Sequence, residues 1–310
     1  MSEGKIFKIL TIDGGGIRGI FSAHILKRIQ DEIGVIYDED FEIIAGTSTG
    51  AITAASLSVG HPIGDVIKLY KTEGKKIFKK NYSSFLNLLN WKNFVNSKYD
   101  NSYLKKVLEG EFGDLTLSDT KTRLLIPASD ISNGNVFVFK SNYDPSFVRD
   151  KDVKISTAVL SSCAAPSYFK PNKVQEYLLA DGGLWSNNPS LVGLTEAMGR
   201  RFNVDKDSIR ILSIGTGIGK KYYNVTDHEG RWGLKHWGTE LVDTIMNLQS
   251  INVDNIVRFI LSDKYLRINF ETDKGLALDD VGEIDNLISK ADEVFTYNFE
   301  KIKTFLTRRQ

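Results

Sequence analysis

The chain has 310 residues, 41% hydrophobic and 25% charged, with a formal net charge of +1. That balance suits one large soluble α/β domain or two small ones, and so small a net charge gives no global field to select a polyanionic partner. A single cysteine, Cys163, excludes an internal disulfide and a cysteine-based metal cluster.

Met1 to Lys8 carries no apolar core of the kind a secretory signal needs, which favours the cytosol. Lys5 to Ile12 reads as a buried parallel strand, with Ile6, Phe7, Ile9, Leu10 and Ile12 apolar. Asp13-Gly14-Gly15-Gly16-Ile17-Arg18-Gly19 follows. Ile20 to Ile33 then has helical spacing, so Ile20, His24, Ile25, Ile29 and Ile33 can share a face. A glycine loop that opens a helix presents unpaired N–H groups to negative charge. Gly14, Gly16 and Gly19 match the dinucleotide fingerprint, but Asp13 would repel a pyrophosphate, and Gly46 and Thr47 stand where its acidic residue belongs. The other use is an oxyanion hole, in which consecutive glycine N–H groups receive the charge that acyl transfer places on a carbonyl oxygen.

Phe41 to Ala45 is a second apolar strand, and Gly46-Thr47-Ser48-Thr49-Gly50 joins it to the small, apolar segment Ala51 to Val59. Strand, tight turn and helix are the context of a nucleophile elbow, with Ser48 pushed out on the turn. Residues 43–64 are 22 positions without a charge, long enough to span a bilayer, but ten are Gly, Ser or Thr and Pro62 interrupts the end. A buried strand–turn–helix fits them better than a membrane helix.

Between Pro62 and Leu108 the pattern predicts inserted helices, at Asp65 to Thr72 and at Asn101 to Leu108. Residues 68–98 hold eight lysines and one acid, so this segment is +7 and the rest of the chain −6. Lysines 75–80 and the aromatic and aliphatic residues between Phe85 and Phe94 suit an anionic lipid surface or the rim of an acyl pocket; a solvated basic face over ordinary core is the plainer alternative.

Arg123 to Ala128 and Val136 to Lys140 form a hairpin about Asn133-Gly134-Asn135. Val153 to Ser162 is a helix ending at Ala164-Ala165-Pro166, and Cys163 reads as a small buried hydrophobe. Glu176 to Ala180 is a short strand that delivers Asp181-Gly182-Gly183. Leu191 to Arg201 is a helix after Asn187-Asn188-Pro189, and Ile209 to Ile214 is a core strand. Lys220 to His236 is a polar excursion. Leu241 to Leu261 is an amphipathic helix with its stripe on the sheet or a second subunit, Tyr265 to Phe270 an edge strand, and Ile284 to Phe305 a last amphipathic helix. Strand–helix alternation predicts an α/β sandwich with a largely parallel sheet. With no linker or repeat visible, residues 1–310 read as one domain, with a core at about 5–217 and a helical elaboration at about 235–310.

A serine needs a base. The order Ser-Asp-His would take Ser48, Asp181 and then His228 or His236, both in the polar excursion. In a two-residue site Asp181 accepts the Ser48 proton itself, provided burial raises its proton affinity. A third reading is a non-catalytic nucleotide or lipid sensor whose glycine loops bind phosphate.

The three motifs, Asp13 to Gly19, Gly46 to Gly50 and Asp181 to Gly183, in that order, resemble the patatin-like phospholipase family over residues 5 to about 217. The resemblance implies a three-layer α/β/α sandwich and a metal-free, cofactor-free lipid acyl hydrolase with a Ser-acyl intermediate. It implies Ser48 as nucleophile, Asp181 as base, and Gly14, Gly15 and Gly16 as the oxyanion loop, with Arg18 and Thr49 in support. Ser162-Cys163-Ala164-Ala165-Pro166 resembles a further family block of structural role. The likeness extends to bacterial phospholipase effectors of anti-phage signalling. That implies a membrane phospholipid surface as partner, at the inner face of the membrane, and a cyclic dinucleotide as activator. It implies no nucleic-acid polymer and leaves room for a homo-oligomer.

Overall fold

The structure is a computed structural model that describes residues 6–79, 97–220, 222–224, 226–227, 237 and 240–307. Strand β1 (Phe7–Ile12) lies at the middle of an eight-stranded sheet, between β2 (Ile43–Gly46) and β7 (Ile209–Ile214), both parallel to it. Beyond β2 lies β3 (Arg123–Asp130), and beyond β7 lies β9 (Tyr265–Ile268), so five adjacent strands run parallel. The sheet then reverses. β4 (Asn135–Lys140) and β6 (Tyr177–Asp181) pair antiparallel with β3, and β5 (Asn172–Val174) pairs antiparallel with β6. A separate two-stranded piece joins β8 (Ile218–Gly219) to β10 (Glu271–Thr272).

Strand alternation sorts the helices into two layers, because successive side chains point to opposite faces. Leu10, Ile12, Ile44, Leu124, Ile126, Leu212 and Ile214 belong to one core. They pack with α1 (Gly19–Ile33), α2 (Thr49–Ser58), α3 (Ile63–Ile77), α4 (Asn101–Phe112), α5 (Ile155–Ser162) and α8 (Ile284–Thr307). Ile9, Ile43, Ala45, Leu125, Ile209 and Ile211 face the other way, onto α6 (Ser190–Met198) and α7 (Glu240–Leu261). The result is the α/β/α sandwich with a largely parallel sheet.

Residues 43–64 form the strand, turn and helix expected of them, and no helix among the described residues is long and apolar enough to cross a membrane. The helix read at Asp65 to Thr72 is longer, because Ile63, Val66, Leu69, Tyr70 and Ile77 continue one buried stripe. In α7 the inner stripe of Val242, Met246, Val253, Val257 and Leu261 is buried within the chain, while Leu248, Ile251 and Phe259 face outward. The C-terminal segment is woven into the sheet, supplying its edge strand β9, and α8 lies along α1.

Candidate active site

Ser48 and Asp181 meet because two strands run toward each other along one edge of β3. β2 pairs in parallel with Arg123 to Leu125, and β6 pairs antiparallel with Ala128 to Asp130. β4 covers Leu125 to Asp130 on the opposite edge, so β2 and β6 share the remaining one and their C-terminal ends converge at Pro127. Proline brings no N–H to this gap, so no donor is stranded there. Its carbonyl accepts from Ser162 Oγ at 2.6 Å, and Ser162 Oγ accepts the Ser48 N–H at 2.8 Å. The Ser-Cys-Ala-Ala-Pro block thus fixes the backbone of the elbow.

Ser48 has φ 54° and ψ −125°, in the left-handed half of the map that a side chain disfavours. α2 leaves the turn pressed against β1: a Cβ on Gly50 would stand 2.4 Å from the Ile12 carbonyl and 2.5 Å from that of Asp13. Only glycine lets the helix sit there and aim Ser48 at Asp181.

Ser48 Oγ donates to Asp181 Oδ2 at 2.7 Å, and the Gly183 N–H donates to Asp181 Oδ1 at 2.6 Å. The Asp181 backbone is clamped as well, its N–H on the Ala164 carbonyl and its carbonyl accepting from Ser129 Oγ. Burial pushes the Asp181 carboxyl up from 3.8 to about 7, against the smaller downward pull of the Gly183 and Ser48 hydrogen bonds. A base poised near neutrality can both take and return a proton. His228 and His236 lie outside the described residues. The other histidines are engaged elsewhere, His24 with Asp292 and His61 with Glu111.

The glycine loop arches beside this pair. The Gly14 N–H is spent on the Asn187 carbonyl at 3.1 Å, and its own carbonyl accepts from Thr216 Oγ1 at 2.8 Å. Gly14 therefore anchors the loop, which narrows the expected donors to two. Among the described residues the Gly15 and Gly16 N–H groups have no hydrogen-bond partner, and Gly16 lines the same pocket as Ser48. Arg18 is buried behind the loop, Nε on the Gly15 carbonyl and Nη1 reaching that of Gly217. Burial lowers its proton affinity, partly offset by Asp243. Thr49 begins α2 at the pocket floor, its carbonyl accepting from Tyr70 OH.

Two partners escaped the sequence reading. Arg267 on β9 forks onto Asp13, Nη1 to Oδ1 at 2.7 Å, and both side chains are buried. Burial alone would pull the guanidinium down, but Asp13 holds it above its ordinary value. The available signal was an arginine inside an otherwise apolar strand and an aspartate at a buried strand end, since each needs the other. Asn187 is the second: its amide bridges Ser250 Oγ and the Gly14 carbonyl.

The pocket over Ser48 is apolar, walled by Ile52, Leu69, Ile77, Phe78, Phe169 and Met246. Such a wall suits a hydrocarbon chain. Lys75, Lys76 and Lys79 are exposed and stand next to the wall residues Ile77 and Phe78 in the chain; Lys80 and residues 81–96 lie outside the described residues. Cys163 also lines the pocket, and burial pushes its thiol well up, so it stays protonated.

A model described as patatin-like phospholipase matches residues 10–192. A Pseudomonas aeruginosa protein named cGAMP-activated phospholipase is 32% identical over 85% of this chain and 78% of its own length. An Escherichia coli protein of the same name is 34% identical over 69% of this chain and 63% of its own. Patatin-like protein 2 of Arabidopsis thaliana is 30% identical over 92% and 81%.

Proposed function

The chain belongs to the patatin-like phospholipase family and is a lipid acyl hydrolase, and we propose that it cleaves membrane phospholipid esters through a Ser48–Asp181 dyad under the control of a cyclic dinucleotide. The observation that carries the dyad is the 2.7 Å hydrogen bond from Ser48 Oγ to a buried carboxylate at the floor of an apolar pocket.

The acyl chain lies against Ile77, Phe78 and Phe169, with its ester carbonyl over Ser48. As Oγ bonds to the carbonyl carbon, its proton passes to Asp181 Oδ2. The carbonyl oxygen becomes an oxyanion that the Gly15 and Gly16 N–H groups receive. Collapse breaks the bond to the glycerol oxygen, which takes the proton from Asp181, and leaves acyl-Ser48. Water then gives a proton to Asp181 and attacks the acyl carbon; collapse returns that proton to Ser48 and frees the fatty acid. No step requires a metal or cofactor. The exposed Lys75, Lys76 and Lys79, next to the pocket residues Ile77 and Phe78 in the chain, support docking on an anionic leaflet, where each lysine near the surface contributes about 1 kcal/mol.

The names of the Pseudomonas and Escherichia relatives support the cyclic-dinucleotide switch, and such a switch would place the chain in anti-phage signalling. Fatty-acid release from anionic phospholipid vesicles, with and without cGAMP and with Ser48→Ala as the blank, tests both parts. The expected result is release that needs cGAMP and falls at least 10³-fold in the variant, in keeping with loss of a nucleophile (roughly 10⁴–10⁶ elsewhere). Release without nucleotide would remove the switch. Release that survives in Ser48→Ala would remove the dyad.

A further inference from the structure

A short strap crosses between the glycine loop and the far wall of the pocket. Leu278 and Asp279 lie between β10 and α8, more than 250 residues from the loop in sequence. The Leu278 carbonyl accepts the Ile17 N–H at 2.8 Å, and its side chain is buried in the pocket lining. Gly16 has φ 58°, and a Cβ there would stand 2.0 Å from the Leu278 carbonyl oxygen. The strap therefore rests directly on the candidate oxyanion residue.

The next residue ties the strap to the opposite wall. Asp279 Oδ2 accepts from Lys98 Nζ at 2.5 Å and also from the Tyr99 hydroxyl. The Asp279 side chain is 12% exposed, so this charge-assisted bond is sheltered from solvent screening. Lys98 and Tyr99 are themselves fixed: their N–H groups donate to the carbonyls of Ser167 and Tyr168, and the ammonium sits over the Tyr168 ring at 5.3 Å. Tyr168 and Phe169 line the pocket.

We propose that Asp279 is a positioning residue for the glycine loop. By gripping Lys98 and Tyr99 it holds the Leu278 carbonyl on Ile17, and this fixes Gly16 against the space where the oxyanion forms. Asp279 touches no reacting atom. Its contribution to rate rests on the phospholipase reading above, whereas its hold on the loop does not.

The test uses the full chain with Asp279→Ala, Lys98→Met and the exchanged pair Lys98→Asp/Asp279→Lys. Amide exchange of the Ile17 N–H should quicken about tenfold or more in the two single variants and slow again in the exchanged pair. Turnover of a monomeric ester should drop about 10- to 100-fold in kcat with KM near the wild-type value, short of the 10²–10³ expected for outright loss of an oxyanion donor. If the alanine variant does not fold, Asp279→Asn keeps the shape and carries the measurement. Unchanged Ile17 exchange in a folded Asp279 variant overturns the proposal. Faster exchange with unchanged kcat overturns its catalytic part. A wild-type chain that hydrolyses nothing would sink the phospholipase reading and leave the exchange result to decide the strap.

Discussion

Asp181 combines two roles that pull against each other. Burial disfavours the charge and pushes its carboxyl up from 3.8 to about 7 in the folded chain. A carboxyl raised in this way binds its proton more tightly folded than unfolded. Stability is therefore full below about pH 4 as far as this group is concerned, declines between about 4 and 7, and stays lower above. With Asp181 as the proposed base, activity runs in the opposite sense, since only the ionised form can take the Ser48 proton. The rate should rise with pH through about 7 and fall roughly tenfold per unit below it. Asp181→Asn should abolish turnover and raise the thermal midpoint at pH 8 but not at pH 4. Paired rate and melting profiles check this; a variant no more stable than wild type at pH 8 would show that the charge costs nothing where it sits.

At the scale of elements, the site is a junction of strand ends. Ser48 comes from β2, Asp181 from β6, and the loop from β1, with Gly50 setting how closely α2 approaches β1. Gly50→Ala should destabilise the fold by about 1–3 kcal/mol, the usual range for overpacking against fixed backbone. It should also lower kcat more than KM, because Ser48 moves off Asp181; urea denaturation alongside kinetics reads both. Much of this was legible beforehand. Apolar runs ending in glycine marked β1, β2 and β6, and the three loops carried the family likeness. The direction of β6 was not legible, because five residues flanked by turns look the same run either way. Nor was the meeting at Pro127, which depends on β4 occupying the other edge of β3. Arg267 and Asp279 stayed hidden for a similar reason: each acts on residues about 180 to 260 positions away, and neither sits in a motif.

Across the whole molecule, charge and oil are separated in a way composition alone conceals. A net charge of +1 hides a +7 segment, and three of its lysines stand beside the pocket wall at Ile77 and Phe78. On the function proposed above, exposed lysines next to apolar wall residues would be attracted to lipid phosphate. The sheet supplies rigidity beneath. β1 is flanked by parallel strands on both sides, and the Asp13–Arg267 pair ties its end to the edge strand β9. The loop and the elbow thus sit at the ends of adjacent parallel strands, with Asp181 at the end of β6, while the described lysines of the lysine-rich segment other than Lys98 lie exposed at the surface. Local patterning showed the lysines; the fold adds that their chain neighbours Ile77 and Phe78 line the pocket.

The central claim is that Ser48 is the nucleophile and Asp181, without a histidine, its base. The most direct measurement is site mapping of a fluorophosphonate adduct by peptide mass spectrometry. It would be run on wild type, Asp181→Asn, His228→Ala and His236→Ala. The account predicts one adduct, on Ser48, formed at the wild-type rate in both histidine variants and lost in Asp181→Asn. An adduct on any other residue, or labelling that survives Asp181→Asn and is lost with either histidine, would contradict it.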